Sequence, residues 1–343
     1  MPSAWDQTPE DLRALGYERD AAHLFGRLQR IATWDAAGPA LGRRGRDLVE
    51  RAGLDLTLPR IVEERPSADG ATRIVLELAD GARIEAVHMP RAVRRPRVTI
   101  CVSSQVGCAM GCTFCATARM GLVRSLTPAE VVAQLHAVMR RFGPRSVEQL
   151  NVVFMGMGEP LHDVEVLVRA LEVLCDPAGL GLAPGRVTVS TVGHVANLDR
   201  LAESRWLPQL AISVNAASDE VRRSLMPINR KWPLAELRAA LDRWPRDRKV
   251  TLEYVLLAGV NDDDASADRL ARWVGDLRHV VNVIPFNAWE GAPYREPSEE
   301  RIAAFCARLH AGGCLAKVRR SRGRDARAAC GMLVTGRAAT PAA

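Results

Sequence analysis

The chain lacks any run of about 18 apolar residues, the length that a membrane-spanning helix needs. Its first ten residues also lack the basic stretch followed by an apolar one that is typical of a signal peptide. These two absences predict a soluble, cytoplasmic protein with no membrane partner. Lysine is almost missing: only Lys231, Lys249 and Lys317 occur, so arginine supplies nearly all of the positive charge behind the formal net charge of +7. That charge permits a nucleic-acid partner but does not prove one.

Three of the 8 cysteines share one short segment, Cys108-Ala-Met-Gly-Cys112-Thr-Phe-Cys115. A structural zinc site needs a fourth ligand, usually in a second close pair of cysteine or histidine residues, and no such pair follows. Three thiolates at this spacing fit one tight loop and can bind three irons of a four-iron cluster, which leaves the fourth iron open to a small molecule. The triple therefore predicts a catalytic iron–sulfur cluster, with a structural zinc loop as the alternative.

Strand-like and helical segments alternate from residue 98 onward. The strand-like runs cover residues 98–102, 150–155, 186–191, 209–214, 250–257 and 280–285, and helical runs such as 128–142, 164–174, 234–243 and 265–277 lie between them. Six such units predict an α/β fold, a partial (β/α)6 barrel of parallel strands with helices outside. The site of such a barrel lies at the carboxyl ends of its strands, where the sequence places Gly156, Glu159, Ser190, Ser213, Asn215 and Asn287.

Five segments are predicted along the chain. Residues 1–59 form a small helical N-terminal accessory domain, and residues 60–96 form a β-hairpin and linker, with the turn at Asp80 and Gly81. Residues 97–296 form the partial barrel. Residues 297–334 form a C-terminal helix and a loop that contains Cys330, and residues 335–343 form a disordered tail.

Five motifs follow one another in the chain. They are Cys101-Val-Ser-Ser-Gln-Val-Gly-Cys108, Met155-Gly-Met-Gly-Glu159-Pro160, Met226-Pro-Ile-Asn-Arg230, Ile284-Pro-Phe-Asn287 and Ala328-Ala-Cys330-Gly331. With Phe114 before its third cysteine, the triple resembles that of radical SAM enzymes. Together the motifs resemble the RlmN/Cfr family of RNA adenine methyltransferases, from about residue 84 to residue 331. Residues 1–59 are similar to the RNA-binding accessory domain of that family.

The resemblance implies two cofactors. One [4Fe–4S] cluster would bind Cys108, Cys112 and Cys115, and S-adenosylmethionine would act as methyl donor and radical source. Taken alone, the strand end at 156–160 is either a simple strand-to-helix turn or a glycine-exposed edge with one carboxylate that suits an ammonium group. The resemblance implies the second, with Gly158 and Glu159 on the amino group of the cofactor. The other cofactor positions fall on Ser190, Ser213, Val214, Asn215 and Asn287. Asn215 replaces a histidine that is common there, and its amide still donates and accepts hydrogen bonds.

Carbons 2 and 8 of adenine are not nucleophilic, so they cannot attack a methyl donor directly. The resemblance implies that Cys330 first receives a methyl group, which a radical then activates for addition to the ring. Cys101 would attack the Cys330 sulfur, releasing the methylated base and forming a transient disulfide. Glu85 would remove the ring proton. His88 is the competing base, and we expect it instead to be an outward residue on a hairpin strand.

The expected function is methylation of adenine carbon 2 in 23S ribosomal RNA, with tRNA left open as a second substrate. A monomer would receive its electron from a donor such as flavodoxin or ferredoxin. The carbon-8 activity of Cfr-like members, which gives ribosomal antibiotic resistance, uses the same residues and stays open. So do two further functions: a radical SAM enzyme of another class, and a basic RNA-binding protein with a structural metal loop. Arginines within 43–46, 91–97 and 319–327 are candidate phosphate contacts or simply a solvated face.

Overall fold

The computed structural model describes residues 2–17, 20–34, 49–91, 94, 96–143 and 150–335. The predicted basic stretch at 43–46 lies outside the described residues. Of the predicted disordered tail, the structure describes only Thr335, which is buried.

A ten-stranded sheet organises the fold. Its first strands, β1 (Arg60–Pro66), β2 (Thr72–Glu77) and β3 (Arg83–Arg91), pair antiparallel, and β3 pairs antiparallel with β4 (Arg97–Val102). A separate antiparallel pair consists of β5 (Gln105–Gly107) and β6 (Leu122–Ser125). The main sheet then continues in parallel from β4 through β7 (Leu150–Phe154), β8 (Val187–Thr191), β9 (Gln209–Ser213), β10 (Val250–Leu256), β11 (His279–Pro285) and β12 (Ala316–Val318).

Helices follow most of the parallel strands. The helices are α1 (Pro9–Ala14), α2 (Ala21–Trp34), α3 (Pro128–Phe142), α4 (Val164–Cys175), α5 (Val195–Ala202), α6 (Asp219–Leu225), α7 (Leu234–Arg243), α8 (Asp264–Val274) and α9 (Glu299–Ala311). Thr127 caps α3 as predicted: its side chain accepts from the backbone of Glu130, whose carboxylate accepts from the backbone of Thr127. Within the described part of the chain, no helix is long and apolar enough to cross a membrane.

The predicted α/β fold with a parallel sheet is confirmed. The six predicted strands correspond to β4 and to β7 through β11, and the short β12 extends the parallel part. Aliphatic side chains such as Val152, Ile212 and Val283 are fully buried along these strands. Burying a side chain of this size contributes about 1.5–3 kcal/mol relative to leaving it exposed.

The N-terminal helices pack on the same core as the barrel. Phe25 and Leu28 of α2 are fully buried among residues of the sheet and of α3. The side chain of Gln29 makes a 2.8 Å hydrogen bond to the ring of His136 on α3. Burial lowers the pKa of His136 to about 3, so this ring stays neutral.

Two details of the hairpin region differ from the prediction. The hairpin has an additional strand, β1, whose polar sequence fits an exposed sheet edge. His88 is not an outward residue: it is buried, and its ring stacks on Phe142 with 4.7 Å between ring centres. The end of α3 covers this face of β3, which the hairpin sequence alone does not show.

Candidate active site

A cavity opens at the carboxyl ends of the parallel strands. It encloses about 950 Å³, part of it open to solvent. Its walls come from the ends of β7 through β11 and from two loops: the cysteine loop (residues 108–115) and the C-terminal loop (residues 319–335). The lining includes Cys108, Cys112, Cys115, Gly156, Gly158, Glu159, Ser190, Ser213, Asn215, Glu253, Asn287 and Cys330.

Backbone contacts fix the cysteine loop. Gly107, with φ of +78°, leads into it, and a Cβ at this residue would lie 1.9 Å from the carbonyl oxygen of Gly121. That oxygen accepts from the Cys108 N–H at 2.8 Å. The chain therefore needs glycine at this entry, because any side chain would break the contact that closes the loop.

The three thiols of the loop suit a metal cluster better than free thiolates. Burial raises the pKa of Cys108 to about 12 and raises the pKa of Cys112 well above its usual range. A bound metal reverses this effect, because coordination deprotonates the thiol. In the described part of the chain, no three thiol, imidazole or carboxyl groups converge on a single-ion site. A four-iron cluster does not require such convergence, since each thiolate binds a different iron.

The strand end after β7 carries the predicted glycines and carboxylate. Gly158 has φ of +100°, and a Cβ there would lie 2.6 Å from Gln105. Glu159 is buried, and its two carboxylate oxygens accept from the N–H groups of Leu161 at 3.0 Å and of Val192 at 2.8 Å. Burial raises the pKa of Glu159 to about 7. The cavity thus contains a fixed acceptor that a ligand ammonium group would keep ionised.

The other predicted cofactor positions divide into two sets. Ser190, Ser213, Asn215 and Asn287 line the cavity, whereas Val214 is absent from its lining and lies in the core. Asn215 has φ of +58°, a conformation that asparagine tolerates better than most residues. Its amide oxygen accepts from the Val255 N–H at 2.8 Å, and its amide nitrogen contacts the sulfur of Met226 at 3.2 Å. The amide of Asn215 therefore supports the local backbone as well as facing the cavity.

Cys330 and Cys101 come from distant parts of the chain to one region. Cys330 lines the cavity, and Asn287 donates to its carbonyl oxygen at 3.1 Å. Cys101 on β4 is buried in one apolar cluster with Ala326, Ala328 and Leu333 of the C-terminal loop. Both cysteines are free thiols. Burial raises the pKa of Cys101 to about 12, the proximity of Cys330 adds to the rise, and the guanidinium of Arg319 lowers it.

Glu85 lies outside the cavity lining. It is fully buried, and the Nε of Arg73 donates to its carboxylate at 2.8 Å. Side chains alternate along a strand, so Glu85 shares a face of β3 with Val87, which pairs with Cys101 on β4. Arg73 also donates to the carbonyl oxygen of Val334 at 3.2 Å. Glu85 thus lies beneath the C-terminal loop, on the face of the sheet that carries Cys101.

His88 lies on the opposite face of β3 from Glu85. Burial lowers the pKa of His88 to about 4, with a smaller contribution from Arg322. The structure therefore separates the two candidate bases by the thickness of the sheet.

The sequence interpretation missed Glu253 and its partner. Glu253 on β10 lines the cavity, accepts from Asn282 at 2.9 Å and forms an ion pair with Arg319 at 2.7 Å. The sequence signal for this site residue is a glutamate within the otherwise mostly apolar strand β10. The arginines of the C-terminal loop all have carboxylate partners: Arg319–Glu253, Arg320–Glu299, Arg322–Asp69, Arg324–Glu296 and Arg327–Glu290.

Comparison with known proteins defines the class. The sequence profile of the Radical SAM superfamily matches residues 102–271, which include the cysteine loop and the strand end at Glu159. The fold is that of a radical SAM enzyme. The enzymes of this superfamily use a [4Fe–4S] cluster and S-adenosylmethionine, so both are cofactors of this protein.

Similar proteins identify the family within this superfamily. A Dual-specificity RNA methyltransferase RlmN from Syntrophobacter fumaroxidans is 41% identical over 91% of this chain and 89% of its own length. Another, from Anaeromyxobacter sp. (strain Fw109-5), is 48% identical over 81% of this chain and 74% of its own length. The crystal structure of a radical SAM methyltransferase from Sphaerobacter thermophilus matches 97% of this chain and 99% of that chain, with a TM-score of 0.86 and 41% identity. The chain belongs to the RlmN family of radical SAM RNA methyltransferases.

Proposed function

We propose that this enzyme methylates carbon 2 of adenosine in 23S ribosomal RNA and in tRNA, with Cys330 as the methyl carrier. One observation supports this proposal above the others. Cys330 lines the same cavity as the cysteine triple and Glu159, while Cys101 lies buried under the loop that carries Cys330. The relatives are named dual-specificity RNA methyltransferases, which supports more than one RNA substrate.

Cys108, Cys112 and Cys115 are the proposed cluster ligands. All three line the cavity, and coordination offsets the cost of burying the thiolates. Glu159 and the backbone at Gly158 are the proposed acceptors for the amino group of S-adenosylmethionine. The remaining cofactor contacts would come from Ser190, Ser213, Asn215 and Asn287, which line the cavity, and from Val214 between two of them.

Cys330 and Cys101, the two functional thiols outside the cluster, would act in different steps of the reaction. When bound, the cofactors supply the one-electron chemistry that activates a methyl group on sulfur. Cys330 accepts the methyl group and holds the adenine adduct in the cavity. Cys101 would then attack the Cys330 sulfur, so that an S–S bond forms as the bond from that sulfur to the methylene carbon of the adduct breaks. The methylene carbon leaves with the electron pair of that bond and takes up a proton, which gives the methylated base and leaves a transient disulfide. The apolar packing of Cys101 under the C-terminal loop keeps the resolving thiol out of solvent until the adduct forms.

Glu85 is the proposed base for the ring proton. It faces the Cys101 side of the sheet, and a fully buried carboxylate needs the compensating charge that Arg73 supplies. Both carboxylate oxygens accept from Arg73. Glu85 would take the proton once one of these hydrogen bonds is released, and Arg73 also donates to the carbonyl oxygen of Val334 in the C-terminal loop.

The partners and location belong to the same proposal. A flavodoxin or ferredoxin would deliver the electron that the cluster needs, and the enzyme would act as a monomer in the cytoplasm.

Mass spectrometry of nucleosides tests the function directly. Ribosomal RNA and tRNA would be compared from cells that contain the gene, lack it, or carry Cys330→Ala. We expect 2-methyladenosine in both RNAs only where the unchanged gene is present. 8-Methyladenosine in its place would contradict the carbon-2 assignment and support the Cfr-like reaction. Gene-dependent 2-methyladenosine in ribosomal RNA alone would contradict the proposed action on tRNA.

A further inference from the structure

Arg222 on α6 is the largest fully buried side chain in the described structure, with 1% of its surface exposed. Its guanidinium donates to the carbonyl oxygen of Val214 at 3.0 Å, to the amide oxygen of Asn229 at 2.8 Å and to the carbonyl oxygen of Val192 at 2.7 Å. A longer contact reaches the carbonyl oxygen of Ser213 at 3.4 Å. Every one of these acceptors is neutral.

A buried cation with only neutral acceptors is unusual. Among the described residues, no carboxylate lies within ion-pairing distance of Arg222, whereas the other buried arginine, Arg73, pairs with Glu85. Burial lowers the pKa of Arg222 to about 10, which still leaves it charged at neutral pH. Burying an unpaired charge is costly, so the fold keeps a positive charge here that no protein anion neutralises directly.

The position of Arg222 indicates where the missing negative charge would lie. Helix α6 ends against the cysteine loop, since the Thr113 N–H donates to the carbonyl oxygen of Leu225 at 2.9 Å. The sulfur of Cys112 and the carboxylate of Asp219 are the negative groups that raise the pKa of Arg222. Asp219 itself accepts from Asn229 and from the Leu234 N–H. Arg222 also lies directly behind the cavity wall, because its acceptors Val192 and Ser213 both line the cavity that the cysteine loop faces.

We infer that Arg222 is the internal counter-charge of the iron–sulfur cluster and that it raises the reduction potential of the cluster. The inference rests on the proposed assignment of the cluster to the cysteine loop. Each electron added to the cluster increases its negative charge, and a fixed cation in a low-dielectric surrounding stabilises the more negative state. The hydrogen bonds to three backbone carbonyls and Asn229 hold the guanidinium in place, so its position does not change when the charge of the cluster does.

A redox titration followed by electron paramagnetic resonance tests the inference without measuring turnover. Cluster-loaded wild type, Arg222→Gln and Arg222→Lys would be titrated with dithionite at matched iron and sulfide content, without substrate. For Arg222→Gln we expect about a tenfold lower ratio of reduced to oxidised cluster at a given potential, a shift of about 59 mV to more negative values. Arg222→Lys keeps a charge only while its ammonium is protonated, which burial opposes, so it is titrated at about pH 6, where it should stay close to wild type at the same pH.

Two further variants test the direction of the shift in reduction potential and provide a control for the loss of an unrelated arginine. Asp219→Asn keeps an acceptor oxygen for Asn229 and Leu234 but removes a negative charge near Arg222, so it should shift the potential in the positive direction. Arg238→Gln on α7, whose partner is the exposed Asp276, should leave the potential unchanged.

Three results would overturn the inference: an unchanged potential in fully loaded Arg222→Gln, an equal shift in Arg222→Lys, or a negative shift in Asp219→Asn. If Arg222→Gln does not load a cluster, the direction of the shift in Asp219→Asn still decides. Failure of the cluster assignment itself is separate, because it would appear as a full cluster in Cys108→Ala.

Discussion

The two loops that meet at the cavity are held in different ways. Backbone hydrogen bonds fix the cysteine loop: Cys108 donates to Gly121, Thr113 to Leu225 and Ala116 to Gly331, each at 2.8–2.9 Å. The C-terminal loop has a few backbone contacts of this kind, such as that of Gly331, but it also depends on side chains from other segments, such as Thr117, which donates to the carbonyl oxygen of Leu333 at 2.7 Å. Similar support comes from Arg73, Asn287 and Asp69, and Arg322 of the loop itself donates to the carbonyl oxygen of Pro90.

This difference predicts that substitutions in the two loops will have different effects. The cysteine loop is held by backbone groups, which every residue carries, so the side chains it needs are its three cysteines and a permissive glycine at its entry. Cys330 reaches the cavity only when the hairpin, the barrel strands and the C-terminal loop have assembled. We therefore expect changes in the cysteine loop to abolish cofactor binding, and changes in the C-terminal loop to affect methyl transfer while the cluster remains.

The largest expected effect is loss of the cluster in Cys108→Ala. Without one of its three thiolates the cluster loses a ligand, so the brown absorbance and reductive cleavage of S-adenosylmethionine should both disappear. Iron and sulfide analysis of purified protein measures the loss. Cys175→Ala, a buried cysteine of α4 outside the cavity, is the matched control and should keep a full cluster. A full cluster in Cys108→Ala would show that the cysteine loop does not bind the cluster.

Gly107→Ala should damage the cysteine loop through the backbone alone. The added methyl group would lie 1.9 Å from the carbonyl oxygen of Gly121, which accepts from Cys108. Gly313→Ala is the control, because Gly313 has a similar φ of +81° and no described atom lies within 4 Å of the added carbon. The control should lose about 1–2 kcal/mol of stability from the left-handed conformation. Gly107→Ala should lose clearly more in urea unfolding and bind less iron; equal losses would show that the loop can move aside.

Methylation of Cys330 should accelerate as pH rises. Burial raises the pKa of Cys330, while Arg319 lowers it. The reactive thiolate is therefore the minor form at neutral pH, and its fraction should rise about tenfold per pH unit until the pH passes the pKa. In Arg319→Gln, which removes the nearby cation, the rate profile should move to higher pH. Arg320→Gln, whose partner Glu299 is exposed, should not move it. A profile that falls with rising pH would contradict this account of the thiol.

Thr117→Val should give the smallest effect. The substitution removes one buried hydrogen bond to Leu333 and leaves a carbonyl without that donor, which costs about 1–3 kcal/mol. We expect a several-fold slower RNA methylation, measured with radiolabelled methyl groups, at unchanged cluster content. A loss of iron in Thr117→Val would mean that the two loops do not depend on separate supports.

The difference between local and long-range contacts also explains which features could be predicted from the sequence. Local spacing made the cysteine triple recognisable, and the alternation of strands and helices indicated the α/β fold, because both are properties of neighbouring residues. The pairing of Glu253 with Arg319 joins residues 66 positions apart, and the cover of α3 over His88 depends on tertiary packing. The buried charge of Arg222 was hidden for the same reason: an arginine on a short helix predicts a solvated side chain until the fold encloses it.

The most direct test of the central claim is peptide mass spectrometry of the wild-type enzyme after incubation with S-adenosylmethionine that carries an isotopically labelled methyl group. We expect one labelled methyl group on the peptide that contains Cys330, and none on peptides that contain Cys101, Cys175, Cys306 or Cys314. A label on Cys314 or Cys175, or a fully active enzyme with no label on Cys330, would contradict the role of the C-terminal loop as methyl carrier.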